Sequence, residues 1–132
     1  MSATPVTTTL DAGVLSIVMN RPDKKNALTH AMYAAMADAL ERAEREADVR
    51  VAFGTGTGDS FTAGNDLGDF MSAPPQGEDA PVFRFLRAIS SASKPVVAAV
   101  NGLAVGVGTT MLLRCDLVYA ARSATFTAPF VN

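Results

Sequence analysis

Hydrophobic and polar positions alternate, then cluster, in an order that predicts most of the secondary structure. Val6 to Leu10 and Val14 to Met19 alternate or run apolar on either side of Asp11-Ala12-Gly13, a turn signal, and so predict a β-hairpin. Asn20 to Ala27 is a polar loop in which Pro22 and Asn26 discourage regular structure. From Thr29 to about Ala47 the period becomes helical. Met32, Met36, Leu40, Ala43 and Ala47 share one face, and Asp38, Arg42 and Arg45 point away from it. Thr29 suits the N-cap and Leu28 can staple against Tyr33. Glu41 and Arg45 are spaced for an i,i+4 pair worth about 0.3 kcal/mol.

Val49 to Phe53 predicts a strand that ends in the glycine run Gly54 to Gly58, and Asp66 is placed to cap a short helix reaching about Met71. Residues 72–80 hold Pro74, Pro75, Gly77, Glu78 and Asp79, the composition of a mobile surface segment. Pro81 suits the first turn of a further helix, with Phe83, Leu86 and Ile89 apolar and Arg84 and Arg87 on its exposed face. Pro95 to Val100 reads as a strand buried on both faces. It runs into Asn101 to Met111, a glycine-rich corner, and then a short buried helix at Met111-Leu112-Leu113. Asp116 to Ala121 and Ala124 to Thr127 predict two last strands. The order ββ, α, β, α, α, β, α, β, β implies an α/β fold with mainly parallel pairing and right-handed crossovers.

Composition narrows the picture without redirecting it. A chain of 132 residues supports one domain around one core, and 48% hydrophobic against 18% charged residues excludes a disordered chain. A net charge of −2 gives no pull toward nucleic acid or an anionic membrane. The apolar runs fall short of the roughly 20 residues that cross a bilayer. Met1 to Thr9 has neither a basic start nor an apolar signal core, so a cytoplasmic location is expected. The lone Cys115 reads as a small buried hydrophobe, and with His30 the only histidine no metal site is expected.

The chemistry must come from the glycine corners. Gly106-Val107-Gly108-Thr109-Thr110-Met111 has only the first two glycines of a dinucleotide fingerprint, and Gly54 to Gly58 has the wrong spacing. No phosphate-loop or nucleophile-elbow motif is present. A backbone N–H from each of two corners could instead converge on one carbonyl oxygen, each well-aimed donor contributing about 3 kcal/mol. The alternative is that the glycines only permit close packing of strand and helix. Spacing leaves both open.

Five stretches taken together resemble the crotonase superfamily (enoyl-CoA hydratase/isomerase). They are Asn20-Arg21-Pro22 with Lys25-Asn26-Ala27-Leu28, then Phe61 to Leu67, Lys94 to Gly102, Ala104 to Gly108, and Cys115 to Ala120. The resemblance implies a right-handed spiral of ββα units, here without the C-terminal helical part. It implies an acyl-CoA thioester as substrate, coenzyme A arriving as part of that substrate, with no separate cofactor and no metal. The implied carbonyl-polarising donors are the N–H groups of Asn65 and Val107, in the loops that hold Gly64 and Gly106. Ala63, Asp66 and Leu67 would lie along the CoA adenine and pantetheine, and the loop from Lys24 through Asn26 and Ala27 to Leu28 against the CoA chain. Lys24 and Lys25 admit two readings, a contact to phosphate or a solvated position.

The departures from the family pattern are as informative. Hydratases of this family carry two glutamates, and the motifs place them at Thr110 and Phe130. Neither residue can move a proton for water, so ordinary hydration is disfavoured. Gly64-Asn65-Asp66-Leu67 and the ending Ala128 to Asn132 resemble instead the Δ3,Δ2-enoyl-CoA isomerase branch, whose single carboxylate would fall beyond Asn132. Members of the family are longer and assemble as trimers or hexamers, so this chain is expected to be the N-terminal portion of one such domain. The alternative is a non-catalytic acyl-CoA-binding or assembly subunit.

Overall fold

The computed structural model describes residues 4–128. The chain starts as the expected hairpin, β1 (Val6–Asp11) and β2 (Val14–Met19), paired antiparallel from Val6 opposite Met19 to Asp11 opposite Val14. Its two-residue turn uses Ala12 and Gly13, both at positive φ, which matches the twist of the flanking strands. Leu15, Ile17 and Met19 of β2 are buried, as their alternation requires.

Two sheets follow. Strands β3 (Val51–Gly56), β5 (Val96–Val100) and β7 (Leu117–Ala120) add to β2 in parallel, giving the order β1-β2-β3-β5-β7. A second sheet holds three short parallel strands, β4 (Ser60–Thr62), β6 (Leu103–Val105) and β8 (Thr125–Thr127), in the order β4-β6-β8. The chain alternates between the sheets, β3 to β4, β5 to β6 and β7 to β8, and helices carry it back. These are the turns of a ββα spiral.

Helix α1 (His30–Arg45) is capped by Thr29, whose Oγ1 accepts from the Met32 N–H at 3.1 Å, and it buries Met32, Tyr33, Met36 and Leu40. It packs with α3 (Pro81–Ser90), and their buried residues join those of the larger sheet in one core. Between them runs α2 (Leu67–Ser72), followed by a largely exposed irregular connection over residues 73–79.

Several expectations need correction. The helix α1 stops before Ala47, because Lys94 Nζ donates to the carbonyls of Ala43 (2.6 Å) and Glu46 (2.8 Å) and ends it there. Strand β3 begins later than Val49 and runs through Gly54 and Gly56. A Cβ at Gly56 would stand 2.5 Å from Ser60 O, so glycine marks close backbone approach there rather than a loop. The apolar face of α3 is Val82, Phe85 and Ile89, with Phe83 exposed. Glu41 does not pair with Arg45: it and Asp38 both accept from Arg84 Nη2, at 3.0 and 2.8 Å, which ties α3 to α1. Arg42 pairs with Glu46 instead. The opening of the glycine corner is also different. Strand β5 does not turn directly into a helix, because β6 intervenes; α4 (Val107–Thr110) is a single turn, and the 3-10 turn Met111–Arg114 after it buries Met111 but exposes Leu113.

Candidate active site

The site is built from behind by Asn26. After the 3-10 turn Pro22–Lys24, Lys25 and Asn26 adopt left-handed φ of 51° and 57°, a conformation asparagine tolerates better than most residues. The Asn26 side chain is fully buried. Its Nδ2 donates to Thr57 O (3.0 Å) and Ser60 O (2.9 Å), and its Oδ1 accepts from the Arg21 N–H (2.7 Å). Both its N–H groups and its oxygen are engaged inside the protein. The side chains of Asn26 and Leu28 are both fully buried and shape the loop from behind. Lys24 and Lys25 are exposed, and Ala27 and Ala63 are half-buried.

Three consecutive amides at the first corner have different fates. The Gly64 N–H donates inward to Thr62 Oγ1 (3.1 Å), which itself donates to Asn26 O (2.6 Å). The Asp66 N–H donates to Leu28 O (2.8 Å), while Gly64 O accepts from the Leu28 N–H (2.8 Å). A trans peptide points its C=O and N–H in opposite directions. The Asn65 N–H thus points away from Leu28, and it has no acceptor among the described residues. Gly64 carries the φ of +92° that this turn demands.

Asp66 braces the corner. Its Oδ1 accepts from the Asp69 N–H (2.9 Å), capping α2, and its Oδ2 accepts from Arg21 Nη1 (2.7 Å), which also donates to Ala27 O (3.0 Å). The Asp69 N–H first, and the Arg21 guanidinium second, hold the Asp66 carboxyl below the usual carboxylate range. Asp69 Oδ2 in turn accepts from the His30 N–H (2.7 Å), and the His30 ring stacks on Phe70 at 4.4 Å. Asn65 is held as well, since the buried Tyr33 hydroxyl donates to its Oδ1. Leu67 is exposed on the outer face of α2.

The second corner is held by backbone and by one side chain, Thr109, whose Oγ1 lies 2.9 Å from both Ala104 O and Thr127 O. Gly106 adopts φ 60° and ψ −119°, a conformation essentially restricted to glycine. Its N–H donates to Thr127 O (2.8 Å), and its carbonyl accepts from the N–H groups of Thr109 (2.9 Å) and Thr110 (3.0 Å). The Val107 N–H belongs to the same peptide, points the other way, and has no acceptor among the described residues. With α4 only one turn long, the donor is this individual N–H and not the end of a helix dipole. The corners adjoin. A Cβ on Gly64 would lie 3.0 Å from Val105 O, and one on Gly108 would lie 2.6 Å from Thr62 Cγ2.

Of the expected site residues, the structure thus brings Ala63, Gly64, Asn65 and Asp66 beside Gly106 and Val107, with Asn26 and Leu28 behind. The position Phe130 lies outside the described residues, and Thr110 offers no carboxylate. Cys115 lines an apolar gap of about 50 Å3 in the core with Met36, Phe61 and Met111; burial, and then the Asp116 charge, push its thiol up to about 11. Among the described residues no group of His, Cys, Asp and Glu could hold a metal ion, and no helix is long and apolar enough to cross a membrane. Sequence reasoning missed Arg21 and the Tyr33 hydroxyl as parts of the site. A tyrosine at a helical core position was the available signal, because a buried O–H needs a partner.

The chain is similar to known proteins over most of its length. The family model described as enoyl-CoA hydratase/isomerase matches residues 9–132. The chain is 43% identical over 128 residues to rat enoyl-CoA delta isomerase 2, covering 92% of this chain and 32% of that protein. It is 39% identical over 130 residues to 1,2-epoxyphenylacetyl-CoA isomerase of Escherichia coli, covering 92% and 49%. A crystal structure of an enoyl-CoA hydratase/isomerase from Pseudoalteromonas atlantica superposes with a TM-score of 0.92 at 50% identity, over 96% of this chain and 51% of the other. The chain therefore spans between a third and about half of the length of these relatives.

Proposed function

Because the chain belongs to the enoyl-CoA hydratase/isomerase family, we propose that it supplies the thioester-polarising half of an acyl-CoA isomerase. The substrate in this reading is a 3-enoyl-CoA. Its thioester oxygen receives hydrogen bonds from the Asn65 and Val107 amides. A base removes a proton from C2, the electron pair spreads into a dienolate whose charge rests on that oxygen, and protonation at C4 gives the 2-enoyl-CoA. Preformed amide donors stabilise the dienolate because they need no reorganisation as the charge develops. Coenzyme A enters as part of the substrate, and no separate cofactor takes part.

The observation that carries this reading is the pair of outward-pointing amides, on two adjoining loops, that have no acceptor among the described residues. What favours isomerisation over hydration is Thr110, since a carboxylate pair is needed to position and deprotonate water. Asp66 and Asp69 are already engaged, by Arg21 and the Asp69 N–H and by the His30 N–H respectively, so the base comes from other residues.

The test is turnover by the full-length protein. It should convert a 3-enoyl-CoA into its 2-enoyl isomer and hydrate 2-enoyl-CoA far more slowly. Faster hydration than isomerisation would overturn the choice of reaction. Tight acyl-CoA binding with no turnover of either substrate would establish the non-catalytic reading, which the engaged state of Asp66 and Asp69 favours.

A further inference from the structure

Tyr33 stands apart from the other core residues of α1. It is fully buried, with Phe70 edge-on at 6.0 Å and Phe85 at 5.6 Å, yet its hydroxyl reaches out of this aromatic cluster to Oδ1 of Asn65, an exposed loop residue. Burial moves the phenol well above its ordinary range, so the group is a permanent donor. Phenylalanine would fill the same space and spare the core a polar atom. The hydroxyl needs a reason.

The geometry points to one: Tyr33 is a positioning residue that aims the Asn65 amide, an inference that rests on the oxygen-polarising role proposed for that amide. The peptide joining Gly64 to Asn65 is tied on its carbonyl side by Leu28. Its N–H side has no acceptor among the described residues, and the plane can rock about the line between the two Cα atoms. Gly64, lacking a Cβ and sitting at φ +92°, gives little resistance to that motion. Restraint must come from the Asn65 end. There the Asn65 side chain is anchored by Tyr33, a residue locked in the core, and the next residue is anchored by Arg21 and the Asp69 N–H. Removing the hydroxyl leaves the loop folded and lets the donor wander. Misaimed donors cost rate rather than ground-state binding.

The experiment uses the full-length protein and a conjugated thioester, cinnamoyl-CoA, whose absorption moves to longer wavelength when its carbonyl is polarised. Tyr33→Phe is expected to lower kcat for 3-enoyl-CoA isomerisation about tenfold, to leave KM within about twofold, and to shrink the red shift of bound cinnamoyl-CoA. Asn65→Ala, which keeps the backbone N–H, should match it, and the double variant should lose no more than either single one. Val107→Pro removes the other donor at a position where the helical turn tolerates proline, and should abolish both turnover and red shift. Tyr33→Phe with native kcat and red shift, or losses that multiply in the double variant, would overturn the positioning role while the oxygen-polarising reading stands. Native behaviour of Val107→Pro would overturn both.

Discussion

The two corners of the site present the same group, one outward N–H, with very different shares of side-chain support. The corner at residues 62–66 is held by side chains from four places in the sequence: Arg21, Asn26, Tyr33 and Thr62. The corner at residues 105–108 is held chiefly by backbone, through a glycine conformation at Gly106 and a close approach at Gly108, with the Thr109 hydroxyl as its one side-chain tie. The difference teaches where each can be altered. A side-chain brace can be trimmed one hydrogen bond at a time, so the first corner can be tuned. The second corner, with two constrained glycines and the single Thr109 tie, leaves far less room for graded change.

The largest effect should come from Gly108→Val. A Cβ there would stand 2.6 Å from Thr62 Cγ2 and 3.0 Å from Thr62 O, so the second corner would be pushed off the first. We expect a loss of about 3 kcal/mol or more in urea denaturation. Asn26→Ala should cost about 2 kcal/mol, because it removes the donor to Thr57 O and the acceptor of the Arg21 N–H, while Ser60 O keeps Asn101 Nδ2 at 3.0 Å. If it proved the milder by far, the contrast between a tunable and a rigid corner would be strengthened; if it proved the harsher, the contrast would fail.

The smallest effect concerns acid. Asp66 has a folded-state pKa below its unfolded one, so the stability it contributes is fully present above the ordinary aspartate range and is lost as pH falls through the depressed value. Stability measured between about pH 6 and pH 2.5 should therefore fall less steeply in Asp66→Asn than in the native chain. Parallel curves for the two proteins would remove Asp66 as a charged brace.

How much of this was legible in the sequence depends on the length over which each pattern runs. The hairpin and α1 repeat their period often enough to be read directly, and the quoted motifs carried the ββα arrangement. Strands β4 and β6 have three residues each, too few for a period, and lie among glycines that resemble loops. The brace from Arg21 to Asp66 spans 45 positions, and Tyr33 reaches Asn65 across 32. Neither link leaves a local trace. The glycine spacing admits both an amide site and close packing, and only the structure shows the closeness at Gly56 and Gly108.

The order β2-β3-β5-β7 repeats the order of the chain. Each rung of that ladder therefore touches only the rungs before and after it, and cohesion accumulates step by step along one axis, as in a coiled spring. Damage should stay near the rung that suffers it. The 73–79 connection lies outside the ladder, where lengthening leaves every strand pair in place, whereas one residue inserted into β3 would slip two neighbours at once.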